Sequence, residues 1–184
     1  MLVLASASPR RAEILSCAGI PFVQHIPANI DETPAPSEAP RDYVMRLARE
    51  KADAIEAGPD QIVLGADTTV VCESEILGKP ADSADAARML RLLSGRAHDV
   101  ITGICLRNST KQTVEAATTR VWFCPLSESE IASYVATGEP MDKAGAYGIQ
   151  GLASTFVTRI DGCYFNVMGL PISLVYARLR AFVL

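Results

Sequence analysis

The chain has 184 residues, 49% of them hydrophobic and 21% charged, which is typical of one globular domain with a substantial core. Seventeen Lys and Arg against 21 Asp and Glu give a net charge of −4. This charge argues against a general nucleic-acid or anionic-membrane binder, because such proteins carry an excess of basic residues.

The compartment is predicted from hydropathy and from cysteine usage. No apolar run reaches the length of a membrane span, and no basic region precedes the apolar start of the chain. The five cysteines are scattered without C-x-x-C spacing, so we expect small core residues and neither disulfides nor a zinc site. They are Cys17, Cys72, Cys105, Cys124 and Cys163. We therefore expect a cytoplasmic protein.

The first predicted strand, Leu2–Ala5, leads into a helix that begins at Pro9, with Ser8 as its N-cap. Arg10 and Arg11 fall in the first turn of that helix, where the partial positive charge of the helix end disfavours cations. Two arginines at such a position indicate an anion site formed by backbone N–H groups and guanidinium groups. The alternative interpretation is a pair of solvated surface arginines.

A second predicted strand, Phe22–Ile26, is followed by Asp31 and Glu32. This acidic pair indicates either plain loop acids or ligands of a divalent ion. Apolar residues at helical spacing then predict a helix over Arg41–Ala57. Lys51 lies in that helix together with arginines, a pattern typical of a solvated face with ion pairs.

The stretch Gln61–Val71 is predicted to be a buried strand that contains a single acid, Asp67. Burying a bare carboxylate is costly, so Asp67 must be solvated, paired or bound to a metal. Gly65 leaves the backbone bare just before it, which gives a ligand room to approach. Asp67 is therefore either an N-cap or turn aspartate, or a general base or metal ligand at the end of a core strand.

Three strands and one helix are predicted for the middle of the chain. The predicted elements are a strand Ile76–Leu77, a helix Ala84–Ser94 capped by Ser83, and the strands Val100–Leu106 and Thr113–Phe123. Lys79, between glycine and proline, suits a phosphate contact, although GKP alone is a short motif. His98 is interpreted as a structural hydrogen-bonding residue, since no cysteine or second histidine is near in sequence.

The last third contains the densest polar stretch, Gly138–Gly151, with four glycines. Glycines in that number indicate a backbone pressed against something, with Tyr147 and Gln150 as candidate stacking and hydrogen-bonding groups. The predicted elements around it are a helix that begins with a Ser127–Glu130 capping box, the hairpin strands Phe156–Ile160 and Cys163–Val167, and a helix Ile172–Phe182.

The mixture of strands and helices lacks strict βαβ alternation. We therefore expect an α/β fold with a twisted mixed sheet flanked by helices. Residues 1–184 are predicted to form a single domain, with two lobes around a central cleft.

Six motifs carry a resemblance to a known family. In this order and spacing, SASPRR, GADT, GKP, SGRAHDVITG, GEPMDKAGAYGIQG and NVMGLP resemble the Maf family of nucleotide pyrophosphatases, over Leu2 to Pro171. The resemblance implies a fold related to the inosine-triphosphate pyrophosphatases and a homodimer. It also implies cleavage of nucleoside triphosphates to the monophosphate and pyrophosphate with a divalent metal, Mg2+ or Mn2+. The ending AYGIQG is similar to the branch that acts on dTTP and UTP, whereas a branch that acts on 7-methyl-GTP carries a different motif.

The resemblance also implies roles for individual residues. It places Asp67 as proton acceptor and Arg10, Thr68 and Gln150 as the residues that set substrate specificity. It makes Lys51 a phosphate ligand in place of a member of a solvated face. The phosphate-binding candidates are Arg10, Arg11, Lys51 and Lys79, and the metal-binding candidates are Glu32 and Asp67.

These roles are chemically consistent with a triphosphate substrate. A triphosphate carries about four negative charges at neutral pH, so a metal and several cations must surround it. Asp67 would take a proton from the attacking water. The amide of Gln150 matches the edge of uracil or thymine, where a carbonyl lies beside an N–H.

Three alternatives stay open at this point. The first is a pyrophosphatase for another nucleotide, such as 7-methyl-GTP, or a house-cleaning enzyme for modified nucleotides. The second is a nucleotide-binding regulator of cell division without turnover. The third, a nucleic-acid-binding module, is disfavoured by the net charge and by the lack of a basic, aromatic-rich stripe.

Overall fold

The computed structural model describes residues 1–26 and 30–183, and this part of the chain forms seven strands and six α-helices. The strands are β1 Leu2–Ala5, β2 Phe22–His25, β3 Ile62–Cys72, β4 Glu75–Leu77, β5 Ala97–Arg107, β6 Gln112–Phe123 and β7 Val157–Asp161. The helices are α1 Pro9–Cys17, α2 Pro40–Asp53, α3 Ser83–Leu93, α4 Glu128–Ala136, α5 Tyr164–Met168 and α6 Ile172–Val183. Short 3₁₀ turns occupy Glu139–Asp142, Ala144–Ala146 and Leu152–Phe156.

The strands form one mixed sheet in the order β2-β1-β3-β5-β6-β7, with β4 paired to β3. β1 runs parallel to both of its neighbours, so that Leu2 lies opposite Phe22 on one side and Ile62 on the other. β4 is antiparallel to β3, and β7 is antiparallel to β6. The predicted α/β class with a mixed sheet is therefore confirmed.

The chain divides into two compact units, and the division falls within β3, β5 and β6. The first unit comprises Met1–Thr68, Thr102–Ala117 and the chain from Gly169 onward, and the second comprises Thr69–Ile101 and Thr118–Met168. The first unit buries small and β-branched residues of β1, β3 and α2. The second buries a larger cluster that includes Leu90, Phe123, Tyr134 and Tyr147. The predicted central cleft and the single-domain assignment stay predictions.

Helix α2 packs unusually close to the sheet of the first unit. A Cβ atom at Gly65 would overlap the Ala48 carbonyl oxygen and would lie 2.8 Å from the Ala52 nitrogen. A Cβ atom at Gly103 would likewise overlap the carbonyl group of Val44. The glycines therefore allow the helix backbone to contact the strand backbone, and this contact places the side chains of the helix directly over β3.

The C-terminal end of α2 and the N-cap of α3 differ from those predicted. The predicted helix Arg41–Ala57 ends at Asp53, because the chain turns there and Arg107 donates to the carbonyl oxygens of Ala52 and Ile55. Helix α3 is capped by Asp82, whose carboxylate accepts the backbone N–H of Asp85 at 2.8 Å, so the predicted Ser83 cap is wrong.

The caps of two other helices were predicted by position. Ser127 and Glu130 form the predicted capping box of α4. Ser8 stands at the N-cap of α1 as predicted, but its side chain makes no capping hydrogen bond.

The second strand of the predicted C-terminal hairpin, Cys163–Val167, is wrong, because this segment forms α5. Thr119 Oγ1 accepts from the Cys163 backbone N–H and donates to the Cys163 carbonyl oxygen, both at 3.0 Å. Asn166, which is fully buried, donates to the Val100 carbonyl oxygen at 3.0 Å. Both contacts satisfy buried polar groups in a helical turn, and they override the strand propensity of the segment.

The five cysteines are free thiols. Cys72 and Cys105 are buried as expected, whereas Cys17 is exposed and is not a core residue. Within residues 1–26 and 30–183, no helix is long and apolar enough to cross a membrane.

Candidate functional site

Asp67 is a buried carboxylate in the middle of β3, with only 7% of its surface exposed. The N-cap or turn interpretation is therefore wrong, and the residue lies within the strand and not at its end. Burial raises the pKa of the Asp67 carboxyl above its ordinary value, because desolvation disfavours the charged form. The positive charges of Lys51 and Arg11 oppose this shift.

Lys51 joins two carboxylates. Its Nζ atom lies 2.6 Å from Asp67 Oδ1 and 2.6 Å from Glu32 Oε1. The solvated-face interpretation is therefore wrong for Lys51. Of the predicted helical ion pairs, Arg46 forms one with Glu50, although Arg46 is itself half-buried. Because α2 lies directly over β3, its lysine reaches the acid of the strand.

The loop that carries Glu32 is also held by α2. The Tyr43 hydroxyl donates to the Glu32 carbonyl oxygen at 2.8 Å, and Arg46 Nη2 donates to the Thr33 carbonyl oxygen at 3.1 Å. Arg46 also forms a two-pronged ion pair with Glu38. The Glu32 side chain itself is half exposed, which leaves it accessible to a ligand.

Arg11 is buried, so the surface-arginine interpretation is wrong for this residue. Its guanidinium donates to the Gly169 carbonyl oxygen at 2.8 Å, to Ser6 Oγ at 3.0 Å and to Thr68 Oγ1 at 3.1 Å. Burial lowers the pKa of the Arg11 guanidinium, and the charge of Asp67 opposes that shift. Arg11 therefore fixes the threonine that follows Asp67 in the strand.

The first unit thus brings together five of the residues predicted from the sequence. Glu32, Lys51 and Asp67 form one ion-paired group, and Arg11 and Thr68 adjoin it through the strand. Arg10 lies half-buried in the first turn of α1, next to Arg11.

Lys79 and Gln150 belong to the second unit, and both are exposed. The segments that carry them are linked, because the Gly145 N–H donates to the Gly78 carbonyl oxygen at 3.1 Å. Tyr147 is buried in the core, so its predicted role as a stacking group for a ligand is wrong. Its hydroxyl lies 2.8 Å from His98 Nε2, which confirms the structural interpretation of His98.

The two carboxylates of the first unit, Glu32 and Asp67, are of the type that holds a divalent metal together with other oxygen ligands. In the described part of the chain, no group of three or more His, Cys, Asp or Glu side chains forms a protein-only metal cage. Glu32 and Asp67 do converge on one cation, the Lys51 ammonium. Mg2+ in phosphate-processing sites is held by one or two carboxylates together with phosphates and water, which matches this pair.

Three residues that hydrogen-bond to these site residues are not identified by the sequence patterns. They are Ser6, Tyr43 and Thr102, whose hydroxyl lies 3.0 Å from Thr68 Oγ1. The signal for Thr102 was available, because it is a polar residue inside the apolar strand β5, as Asp67 is inside β3.

Comparison with known proteins agrees with the motifs. A family model described as Maf-like protein matches residues 1–182. A protein of Koribacter versatilis named dTTP/UTP pyrophosphatase is 54% identical over 180 residues, which cover 97% of this chain and 93% of that protein. A protein of Syntrophomonas wolfei with the same name is 52% identical over 179 residues, which cover 96% and 94%.

A solved structure shares the fold. The Ham1 protein of Staphylococcus aureus superposes with a TM-score of 0.56 over 98% of both chains. Because the sequence identity is 14%, this likeness concerns the fold alone.

Proposed function

The chain belongs to the Maf family, and we propose that it is a nucleoside triphosphate pyrophosphatase that hydrolyses dTTP and UTP to the nucleoside monophosphate and pyrophosphate. The observation that carries the proposal is the buried Asp67 carboxylate, held 2.6 Å from the Lys51 ammonium. A carboxylate with a raised pKa beside a fixed cation is suited to take a proton close to a polyanion.

The reaction needs one proton acceptor and charge neutralisation. A water molecule attacks in line on one phosphorus of the anhydride that joins the α- and β-phosphates. Asp67 accepts a proton from that water, and the bridging oxygen departs with the other phosphorus. Burial raises the pKa of the Asp67 carboxyl and so its basicity, while the charge of Lys51 opposes this shift and favours the ionised form that accepts a proton.

The phosphates are bound by cations of this chain. Arg10, Lys51 and Lys79 are the proposed ligands, with a guanidinium fork from the arginine and point charges from the lysines. Arg11 was also a phosphate-binding candidate, but three of its N–H groups are engaged by protein oxygens. We assign Arg11 to positioning Thr68.

Glu32 and Asp67 are the candidates that would hold Mg2+ or Mn2+, and the bound ion supplies neutralisation of phosphate charge. A carboxylate that binds a metal tightly is not free to act as a base, so Asp67 fills one of these two roles. Binding of Mn2+ in the presence of nucleotide, followed by electron paramagnetic resonance, tests this assignment without a turnover readout. Glu32→Gln should weaken Mn2+ binding by at least about tenfold, since even the loss of a hydrogen-bonding partner behind a metal ligand costs about 10- to 100-fold. Unchanged Mn2+ binding by this variant would remove Glu32 from the metal site.

Base selection is assigned to Gln150. A site that pairs with both the carbonyl and the N–H of uracil or thymine leaves polar groups unpaired when another base enters, and this discriminates strongly. A steady-state screen with dTTP, UTP, ATP, GTP and 7-methyl-GTP, with pyrophosphate detection and with or without Mg2+, tests the proposal. We expect preference for dTTP and UTP, and equal rates on all nucleotides would contradict it.

The same screen separates the other candidates. Preference for 7-methyl-GTP or for a modified nucleotide would identify a different substrate in the same reaction class. Nucleotide binding without release of pyrophosphate would favour the regulator of cell division. The homodimer and the cytoplasmic location also belong to the proposal, and they rest on the family resemblance and on the five free cysteines.

A further inference from the structure

The residue assigned to base selection lies on a tight turn in the second unit. The Gly151 N–H donates to the Gly148 carbonyl oxygen at 3.0 Å, so Gly148–Gly151 forms a four-residue turn with Gln150 at its third position. Gln150 is exposed, whereas Tyr147, which precedes the turn, is buried. The direction of the Gln150 side chain therefore depends on what holds the two ends of this turn, which we call the Gln150 turn.

Two side chains hold both ends. The Tyr134 hydroxyl accepts the Gly148 N–H at 3.3 Å and donates to Glu139 Oε1 at 2.9 Å. The other carboxylate oxygen, Oε2, accepts the Leu152 N–H at 3.1 Å. One hydrogen-bonded pair, Tyr134 and Glu139, thus connects the residue that opens the Gln150 turn with the residue that follows it.

The glycines of the turn allow this close approach. A Cβ atom at Gly151 would lie 2.7 Å from Glu139 Oε2, and a Cβ atom at Gly148 would lie 2.7 Å from Lys143 Cε. Lys143 Nζ in turn donates to the Glu139 carbonyl oxygen at 2.6 Å. The turn therefore rests directly on the Glu139 carboxylate and on the stem of Lys143.

The pair is itself rigidly supported. Tyr134 lies on α4 with 4% of its surface exposed, and its ring packs edge-on against Phe156 at 5.2 Å between centroids. A side chain on a capped helix, packed in the core, fixes its hydroxyl more narrowly than a loop residue would.

We propose that Tyr134 and Glu139 are positioning residues for base selectivity, which they impose by fixing the Gln150 turn. The inference rests on the proposed function, because it assumes that Gln150 contacts the base. A primary amide must align one donor and one acceptor at once, and a displacement of about 1 Å is enough to lose such alignment. Purine nucleotides do not depend on this pairing.

The test is the selectivity ratio, defined as kcat/KM for dTTP divided by kcat/KM for dATP. Tyr134→Phe removes the hydroxyl and keeps the ring that packs on Phe156, so the core is retained. We expect this variant to lower the ratio about tenfold, mainly through the value for dTTP. Tyr164→Phe is the matched control, since it removes an exposed hydroxyl from the same unit and should leave the ratio unchanged.

Introducing Tyr134→Phe into a Gln150→Ala enzyme shows whether the effect of Tyr134→Phe on the selectivity ratio depends on Gln150. In a Gln150→Ala enzyme, Tyr134→Phe should change the selectivity ratio no further, because the effects of residues that act as one unit are not additive. A tenfold effect of Tyr134→Phe that persists in the Gln150→Ala background would overturn the inference.

The Glu139 variants test the other member of the pair. Glu139→Gln keeps an acceptor for the Leu152 N–H, so the selectivity ratio of this variant should lie between those of the wild type and Glu139→Ala.

The outcomes distinguish the two proposals. A wild-type selectivity ratio near one would contradict the proposed function, and it would also contradict the positioning role of Tyr134 and Glu139, which rests on that function. A wild-type ratio well above one that Tyr134→Phe leaves unchanged would overturn the positioning role alone.

Discussion

The chemistry of single residues in this protein centres on one shared cation. Lys51 Nζ lies 2.6 Å from the carboxylates of both Asp67 and Glu32. Asp67 is buried, and desolvation raises its pKa, while the charges of Lys51 and Arg11 lower it. Desolvation is the larger effect, so the carboxyl is a stronger base than an exposed aspartate.

We expect the charge of Lys51 to set the pH at which kcat/KM falls on the acidic limb of the pH profile. The proton acceptor must be ionised, so kcat/KM should fall as the pH falls through the raised pKa of Asp67. Lys51→Gln removes a charge that lowers this pKa, so the midpoint of the acidic limb should move to higher pH. The measurement is kcat/KM for dTTP from about pH 4 to about pH 9, because this range covers the ordinary pKa values of carboxyls and histidines.

The control for this profile is Lys111→Gln, which removes a lysine that contacts the Ala181 carbonyl oxygen and not Asp67. Its acidic limb should match that of the wild type. An acidic limb that stays in place in Lys51→Gln, or moves to lower pH, would disprove the electrostatic link between Lys51 and Asp67.

Sequence reasoning found Asp67 because a single acid inside an apolar run requires an explanation. It did not find the pairing of Asp67 with Lys51 from the residues alone, because that contact depends on how closely a helix approaches a strand. It also assigned Arg11 to phosphate, whereas three protein oxygens accept from its guanidinium. Local patterns identify which side chains need partners, but tertiary packing decides which partners they get.

At the scale of elements, the approach of α2 to β3 makes the ion pair possible. Gly65 stands two residues before Asp67, and the backbone of α2 lies against it at Ala48 and Ala52. Lys51 lies on α2 and Asp67 lies on β3, and these two elements approach closely because Gly65 has no side chain between them.

Gly65→Ala should therefore destabilise the protein by about 3 kcal/mol, since the new methyl group meets backbone atoms that cannot rotate away. Gly58→Ala is the matched control, because its Cβ would lie 3.4 Å from a flexible glutamine side chain. The control should change the free energy of unfolding by less than about 0.5 kcal/mol. Equal stability of both variants in urea denaturation would show that the close packing is not required.

Elements specified by local chemistry were predicted well, and those specified by distant contacts were not. The capping box of α4 uses residues three positions apart, so the sequence contains the whole motif. The segment Tyr164–Met168 has strand-forming residues, yet it is a helix, because Thr119 binds the Cys163 N–H just before it and the Val100 carbonyl oxygen binds Asn166 within it, both from other strands. Helix α2 ends early for the same kind of reason, since Arg107 donates to the carbonyl oxygen of Ala52 in its last turn and to that of Ile55 just beyond it.

At the scale of the whole molecule, the proposed roles are distributed over two compact units. The first contains Asp67, Lys51 and Glu32, and the second contains Lys79 and Gln150. The second unit is built around a cluster of rings in which His98 packs edge-on against Phe123 and Tyr147. His98 is 2% exposed, and burial lowers the pKa of its imidazole to about 4.

This buried histidine should make the fold sensitive to acid. Between pH 6.5, the ordinary pKa of histidine, and a pH of about 4, the unfolded state binds a proton that the folded state does not. The free energy of unfolding should therefore decrease as the pH falls through this window, by up to about 3 kcal/mol. Denaturation of the wild type and of His98→Gln at several pH values measures the difference.

His98→Gln should lose most of this slope, while His25→Gln, a change at an exposed residue, should retain it. The amide of the glutamine keeps a polar partner for the Tyr147 hydroxyl, so the variant tests the titration and not the loss of a hydrogen bond. Equal slopes for the wild type and both variants would show that His98 is not the source of the acid sensitivity.

The most direct test of the proposed chemistry is the Asp67→Asn variant assayed with dTTP. The amide keeps the shape of the side chain but cannot accept the proton of the attacking water, so kcat should fall by about a thousandfold. The dissociation constant of the nucleotide, measured without divalent metal so that the metal-ligand candidacy of Asp67 does not enter, should stay within about threefold of the wild-type value, because binding and proton transfer are separate contributions. An Asp67→Asn enzyme that turns over dTTP at the wild-type rate would contradict the central role of this carboxylate.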